Sequence, residues 1–149
     1  FTQLYAENVV FAVATVHPLA DKAKLEDLTQ WLVLYPPSTA AIRPFVDRYM
    51  ISHGLGRLPH RLDTVSGAFG RSMTLGPRKA IWIISEGVVA RDIAAGRMTA
   101  LPIDTSAMAG PIGIMARSEE DPTPPMRLFR QALLEARDLT RTSPAISEA

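Results

Sequence analysis

Cysteine is absent from the 149 residues, which excludes disulfides, thiolate metal ligands and cysteine nucleophiles. Long hydrophobic runs are absent too: an apolar run such as residues 80–84 is far shorter than the roughly 20 residues that span a bilayer. Neither charge is in excess, since the chain has 16 basic and 15 acidic residues. Such a chain lacks the concentrated positive charge that binds a polyanion. We therefore predict a cytoplasmic chain that itself contacts neither membrane nor nucleic acid.

The sequence also lacks the residue sets that carry most enzyme chemistry. None of the three histidines, His17, His53 and His60, has further ligands at metal-binding spacing. Residues 64–67 lack the first glycine of a nucleophile elbow. The glycine-containing segment 67–71 has neither a Walker lysine nor the spacing of a dinucleotide-binding loop. We therefore predict no catalytic residue, no metal and no cofactor.

The chain does contain an alternation of strand and helix patterns. β-Branched and aromatic runs predict strands at residues 9–13, 31–35, 61–65, 80–84, 99–103 and 112–116. Apolar residues at helical spacing predict helices between them, the clearest stripe being Ile42, Phe45, Val46, Tyr49 and Met50. A last helix should follow Thr123, with four apolar side chains facing the core: Met126, Phe129, Leu133 and Ala136. This alternation predicts an α/β fold with a mostly parallel sheet flanked by helices.

Two features predict close packing within this fold. Trp82 lies inside an apolar strand, so it is expected in the core rather than as a platform for a ligand. The helix that begins at Ser66 contains Gly67 and Gly70 and ends at Gly76, which makes it either weak or tightly packed. Packing is the better explanation of these glycines because no phosphate-binding motif accompanies them.

Small hydroxyl residues recur where a predicted strand is followed by a helix: Ser38 and Thr39, Thr64 and Ser66, and Ser85. Each of them, taken alone, is explained as a helix cap. In an open α/β sheet, however, the carboxyl ends of the strands and the starts of the following helices converge on one crevice. Free amides and the helix dipole favour an anion there. Together the hydroxyls therefore predict a carboxylate site.

Two arginines lie within a helical turn of these hydroxyls. Arg43 and Arg71 have the geometry for bidentate contacts to a carboxylate, and the alternative for each is a solvated arginine on a helix face. The predicted binding site comprises Ser38, Thr39, Thr64, Ser66, Arg43 and Arg71.

The order of short motifs resembles one family. The motifs are His-Pro-Leu-Ala at 17–20, Pro-Pro-Ser-Thr at 36–39, Gly-Arg-Met before Leu101-Pro102, and Gly-Pro-Ile-Gly-Ile before Arg117. As an ordered set spanning residues 5–138, they resemble the effector-binding domain of LysR-type transcriptional regulators. Residues 82–90 and the later Leu-Pro-Ile-Asp-Thr-Ser segment are most similar to regulators of the pca operon, which serves protocatechuate catabolism.

This resemblance implies a periplasmic-binding-protein-like (type 2) fold, in which two lobes hold the inducer between them. Residues 1–19 would end the first lobe, 20–104 would form the second lobe (regulatory subdomain II), and 105–139 would return to the first. Residues 140–149 would be a disordered tail. The first lobe is therefore expected to be incomplete, with the N-terminal helix-turn-helix encoded upstream of Phe1.

The resemblance also implies partners. The inducer would be a small anionic metabolite, here a carboxylate of aromatic catabolism, contacted in the second lobe by Ser38, Thr39, Thr64 and Ser66. DNA would be bound only through the missing helix-turn-helix, and the full-length protein would be a homodimer or homotetramer.

Two other functional classes stay open at this point. A periplasmic-type solute-binding protein shares the implied fold, and a secretion signal in the full gene would favour it. A small α/β enzyme is the second class, although the sequence shows no nucleophile paired with a general base and no set of metal ligands.

Overall fold

A computed structural model describes residues 1–117 and 119–142. These residues form two compact units, one of residues 7–110 and one of residues 1–6 together with the described residues from 111 onward. In chain order the strands are β1 (Thr2–Glu7), β2 (Val9–Ala14), β3 (Val33–Tyr35), β4 (Arg61–Asp63), β5 (Ile81–Ser85), β6 (Met98–Ala100) and β7 (Gly110–Ile114). The helices are α1 (Arg43–Ser52), α2 (Gly67–Leu75), α3 (Glu86–Ala94) and α4 (Pro124–Thr142), with 3-10 helices at Leu25–Gln30 and Ser106–Met108.

The larger unit is built on a five-stranded sheet in the order β4-β3-β5-β2-β6. Strand β3 pairs in parallel with β4 and β5, whereas β2 runs antiparallel to β5 and β6. Strand β6 therefore has the same direction as β3, β4 and β5, and β2 alone opposes them. The predicted α/β fold with a mostly parallel sheet is confirmed.

Both faces of this sheet are covered by apolar side chains. Along β2, Phe11 and its alternate neighbours join a buried cluster with α1, whereas Val10 and Ala12 join a second cluster with Val89 of α3. Every residue of β2 is buried, as its continuous apolar run predicts. Trp82 belongs to the second cluster and is 3% exposed, so its predicted place in the core is confirmed.

Several elements are shorter or less regular than predicted. The strands expected at 31–35, 61–65 and 99–103 are only three residues each. Between β6 and β7 lies the 3-10 helix Ser106–Met108, whose Met108 is in the core and is 1% exposed. Among the described residues no helix is both long and apolar enough to cross a membrane.

The larger unit extends beyond the predicted second lobe at both ends. Residues 9–14, which were assigned to the first lobe, lie in the sheet between β5 and β6 and pair with both. At the other end, Met108 packs in the same core as Phe11. Strand pairing and core packing thus place these segments with residues 20–104. The lobe boundaries of a complete effector domain stay a prediction.

The smaller unit contains a two-stranded sheet of β1 and β7 and the amphipathic helix α4. Met126 and Phe129 are 52% and 68% exposed, so the prediction that this stripe faces inward is wrong for them. Two strands and one helix offer little apolar surface to cover it. Thr140, the predicted start of a disordered tail, is helical, and residues 143–149 of that tail lie outside the described residues.

His17 is a buried histidine whose ring lies 4.3 Å from that of Trp31, centre to centre. Its Nδ1 accepts a hydrogen bond from the Leu19 N–H at 3.0 Å, so the proton is on Nε2, which donates to the Lys79 carbonyl at 3.1 Å. Burial lowers the pKa of His17 below its usual 6.5, and the Lys79 charge lowers it further, although the bond to the Lys79 carbonyl raises it. The folded chain thus favours neutral His17.

We expect the chain to lose stability as the pH falls below 6.5. The unfolded chain takes up a proton at His17 near its usual pKa, whereas the folded chain resists it, so acid favours unfolding. In His17→Asn, a side-chain oxygen replaces Nδ1 without titrating. The Tm of the parent should therefore fall by about 5 °C between pH 7 and pH 5, and the Tm of His17→Asn should fall less.

The matched control for this measurement is His60→Asn, because the side chain of His60 is exposed. This control should keep the pH dependence of the parent. Equal slopes of Tm against pH in the parent and in His17→Asn would contradict the prediction.

Candidate functional site

The carboxyl ends of three neighbouring parallel strands lie at one edge of the sheet. Tyr35 pairs with Asp63, which aligns the ends of β3 and β4, and Val9 pairs with Ser85, which brings the start of β2 beside the end of β5. Helices α1, α2 and α3 follow β3, β4 and β5 in the chain, so their N-termini come to this edge. We call it the carboxyl edge. It is the arrangement that the sequence predicts for an anion-binding crevice.

Thr64 and Ser66 shape the start of α2. The Ser66 hydroxyl accepts a hydrogen bond from the Phe69 N–H at 3.2 Å, which confirms the predicted cap. The Thr64 hydroxyl accepts one from the Ser66 N–H at 3.1 Å. Among the described residues, nothing accepts a hydrogen bond from the N–H groups of Gly67 and Ala68 in the first turn. These amides, together with the two hydroxyls, are available to an anion.

Ser38 and Thr39 lie at the carboxyl edge after β3 but do not cap α1, so the cap prediction is wrong for them. A turn closed by a hydrogen bond from the Ala40 N–H to the Pro37 carbonyl, at 2.9 Å, delays the helix. Ile42 occupies the cap position, with no side-chain hydrogen bond. Both hydroxyls are exposed, and no partner for either is found in the described part of the chain.

The start of α3 is capped from a distant part of the chain. Ser85 stands at the cap position, but its side chain forms no capping hydrogen bond, so the predicted cap is wrong. Instead the Gly87 N–H donates to the Glu7 carboxylate at 2.6 Å, and the Glu86 N–H donates to the Asn8 carbonyl at 2.9 Å. The pattern of residues around Ser85 gave no signal of this cap, because Glu7 lies 80 residues earlier.

Arg43 is held by neighbours within its own unit. Its Nε donates to both carboxylate oxygens of Asp47, at 2.8 and 2.7 Å, and a terminal nitrogen donates to the Pro36 carbonyl at 3.1 Å. The guanidinium also lies 5.1 Å from the centre of the Tyr35 ring. Its predicted contact with a ligand stays a prediction, and these bonds would compete with it.

Beside Arg43 lies an open cavity of about 620 Å³ with a network of charges that the sequence did not reveal. The Tyr35 hydroxyl donates to Asp47 at 2.8 Å, and burial, together with that carboxylate, raises the pKa of Tyr35. The Arg61 guanidinium lies 3.9 Å over the Tyr35 ring and forms a bidentate ion pair with Asp63, which lowers the pKa of Asp63. Since these charges are paired, we assign them to packing at the sheet edge.

Arg71 is bound to a buried carboxylate. Its Nε donates to one oxygen of Asp92 at 2.8 Å, and Arg97 donates to the other oxygen at 2.9 Å. The Asp92 side chain is 2% exposed, and its bonds to Arg97 and Arg71 lower its pKa below 3.8. This ion pair joins α2 to α3. It competes with the predicted role of Arg71 as a ligand contact, which stays a prediction.

Of the groups predicted to bind an anion at the carboxyl edge, the hydroxyls and amides are neutral donors, whereas Arg43 and Arg71 are engaged by carboxylates. Hydroxyls after β3 and β4 and the first amides of α2 are suited to reversible binding of a carboxylate. Within residues 1–117 and 119–142, no group of three or more His, Asp or Glu residues is placed to hold a metal ion.

Comparison with protein families gives one match over most of the chain. The family model described as the LysR substrate binding domain matches residues 1–138. Among curated proteins, the HTH-type transcriptional regulators PcaQ of Agrobacterium fabrum and of Rhizobium radiobacter are each 42% identical over 138 residues. That alignment covers 91% of this chain and 44% of each regulator. The chain thus spans less than half the length of these relatives.

Solved structures agree on the fold at low sequence identity. The regulatory domain of Synechocystis CcmR in complex with 2-PG has a TM-score of 0.74 at 16% identity, over 97% of this chain and 68% of that chain. The effector binding domain of QuiR in complex with shikimate has a TM-score of 0.73 at 18% identity, over 93% of this chain and 65% of that chain. Both likenesses concern the architecture alone.

Proposed function

The chain belongs to the LysR substrate-binding domain family, and on that premise we propose that it senses a small anionic metabolite on behalf of a DNA-binding transcriptional regulator. The observation that carries the proposal is the start of α2. There two hydroxyls and two first-turn amides without an acceptor among the described residues lie at the carboxyl edge. We propose a sensor without catalytic residues, metal or cofactor.

Binding of a carboxylate by these groups follows from the chemistry of a helix start. The first amides of α2 have no intrahelical acceptor, and the helix dipole adds a partial positive charge at the same place. Hydrogen bonds from neutral donors to a carboxylate are charge-assisted and stronger than neutral ones. Ser38 and Thr39 lie after β3, the strand beside β4, and add hydroxyls within the same edge. We do not include Arg43 and Arg71 among the residues that contact the effector, because both guanidiniums are engaged by carboxylates.

The identity with the PcaQ regulators supports a carboxylate of protocatechuate catabolism as the effector. In the whole protein, which we propose to be a cytoplasmic homodimer or homotetramer, a helix-turn-helix outside this chain would bind DNA. The effector would bind between this second lobe and a first lobe. A carboxylate that binds one lobe arrangement better than another shifts the population toward it, and the DNA-bound geometry follows.

The test removes the hydroxyls at the start of α2. Protocatechuate and related pathway carboxylates are titrated calorimetrically into the full-length protein and into a Thr64→Val, Ser66→Ala double variant. We expect affinity in the variant to fall by at least about a hundredfold, since two hydrogen bonds to a charged group are lost and each contributes about 1.5–3 kcal/mol.

The matched control is Thr29→Val with Ser72→Ala, which removes the same two kinds of hydroxyl elsewhere. Thr29 donates to the Glu26 carbonyl in the 3-10 helix before β3, and Ser72 is exposed in the second half of α2. This control should bind as the parent does. Parental affinity in the Thr64 and Ser66 variant would refute the site, and failure of every carboxylate to bind the parent would refute the proposed function.

A further inference from the structure

The three helix starts at the carboxyl edge are not equivalent. At α2 the amides of Gly67 and Ala68 have no acceptor among the described residues, whereas at α3 an acidic side chain of the chain itself occupies the corresponding place. The residue is Glu7, just before β2. Because β2 runs antiparallel to β5, Glu7 lies beyond the carboxyl end of β5, where α3 begins.

The Glu7 carboxylate is fitted closely to Gly87. Its Oε1 accepts the Gly87 N–H at 2.6 Å. A Cβ atom at Gly87 would lie 3.1 Å from Oε1 and 3.3 Å from Oε2, so a side chain there would crowd the carboxylate. The preceding amide, that of Glu86, is taken by the Asn8 carbonyl at 2.9 Å. The first turn of α3 thus already binds an anion, and a second anion would have to displace Glu7.

We propose that Glu7 is a specificity-determining residue of the effector site, which closes the start of α3 to anions and confines the effector carboxylate to the start of α2 and the hydroxyls that follow β3. This inference rests on the proposed function of the carboxyl edge. Strand β3 lies between β4 and β5, so the carboxyl ends of β4 and β5, which precede α2 and α3, are about 10 Å apart at a strand spacing of about 4.8 Å. An anionic group that reached α3 would meet both the negative charge of Glu7 and an occupied amide.

Glycine resonances offer a direct test, because Gly67 and Gly87 lie in the first turns of α2 and α3 and the chain has only nine glycines. The chain labelled with ¹⁵N-glycine is titrated with benzoate, and the amide resonances are followed by NMR. In the parent, the Gly67 resonance should shift saturably and the Gly87 resonance should not. In Glu7→Ala, the Gly87 resonance should also shift saturably over the range of benzoate concentrations that leaves Gly87 unresponsive in the parent.

Two further variants test whether the effect comes from the charge of Glu7, from the size of its side chain or from the net charge of the chain. Glu7→Gln keeps the side chain without its charge and should give a smaller but saturable shift of Gly87. Glu26→Ala removes an exposed carboxylate from the 3-10 helix before β3, at the opposite edge, and should leave Gly87 unresponsive. The remaining glycine resonances report whether each variant is folded.

The outcomes distinguish this inference from the proposed function. A saturable Gly87 shift in the parent, or an unresponsive Gly87 in both Glu7 variants, overturns the role of Glu7. A Gly67 resonance that responds to neither benzoate nor protocatechuate, while Gly87 responds in Glu7→Ala, overturns the carboxylate site at α2 and leaves the shielding of α3 by Glu7 standing.

Discussion

Replacing Gly70 with alanine is expected to destabilise the chain by about 3 kcal/mol, at the upper end of the range for overpacking a core. A Cβ at this position would lie 2.7 Å from Cη2 of Trp82 and closer still to two other atoms of its ring. Trp82 is only 3% exposed and lies in the central strand β5, so the ring has no free space into which to move. The gain in helix propensity, about 1 kcal/mol, is too small to offset this clash.

The matched control for Gly70→Ala lies in the same helix. A Cβ on Gly67 would meet nothing within 4 Å, so Gly67→Ala should be neutral or stabilising by up to about 1 kcal/mol. Urea unfolding of both variants measures the difference. Trp82→Leu should recover part of the loss when combined with Gly70→Ala, since the two sites are in contact. Equal stability of the two alanine variants would show that the Trp82 ring moves freely, contrary to its burial.

The sequence was most informative where structure depends on neighbours along the chain. The apolar run at 9–13 predicted a strand covered on both faces, and it is the fully buried β2. Ser66 was predicted as a cap because its partner is three residues away, and that hydrogen bond is present. The glycines of α2 suggested tight packing, and Gly70 against Trp82 bears this out.

Contacts between distant segments were the ones that the sequence did not reveal. Glu7 caps α3 across 80 residues, and a local pattern cannot choose it over Ser85. The partners of Arg71 likewise come from another helix, so the spacing of Arg71 from the hydroxyls suggested a ligand contact and could not show Asp92. Turn geometry before α1 delayed that helix, so Ser38 and Thr39 do not cap it.

Asp92→Asn is expected to lower Tm by about 5 °C, because one of the two guanidiniums, which are 43% and 55% exposed, loses its acceptor on this buried side chain. Arg71 and Arg97 donate to different oxygens of Asp92, whereas an asparagine side chain has a single oxygen. Hydrogen bonds from Arg97 and Arg71 lower the pKa of Asp92 in the folded chain. The ion pairs therefore stabilise the fold fully above pH 3.8, and this stabilisation is lost as the pH falls through the pKa that Asp92 has in the folded chain. The Tm difference between parent and variant should therefore shrink in acid.

Glu120→Gln is the control for this ion pair, because Glu120 and its partner Arg117 are both exposed and such pairs contribute little. Its Tm should match that of the parent, and an equally small effect of Asp92→Asn would contradict the assignment. Arg71→Gln then decides between structure and ligand binding. It should lower Tm and leave carboxylate affinity unchanged, whereas the Thr64 and Ser66 variant should lose affinity and should lower Tm only by the loss of the α2 cap, which costs about 1 kcal/mol. If Arg71→Gln instead weakens binding at constant Tm, the arginine contacts the effector, as the sequence first suggested.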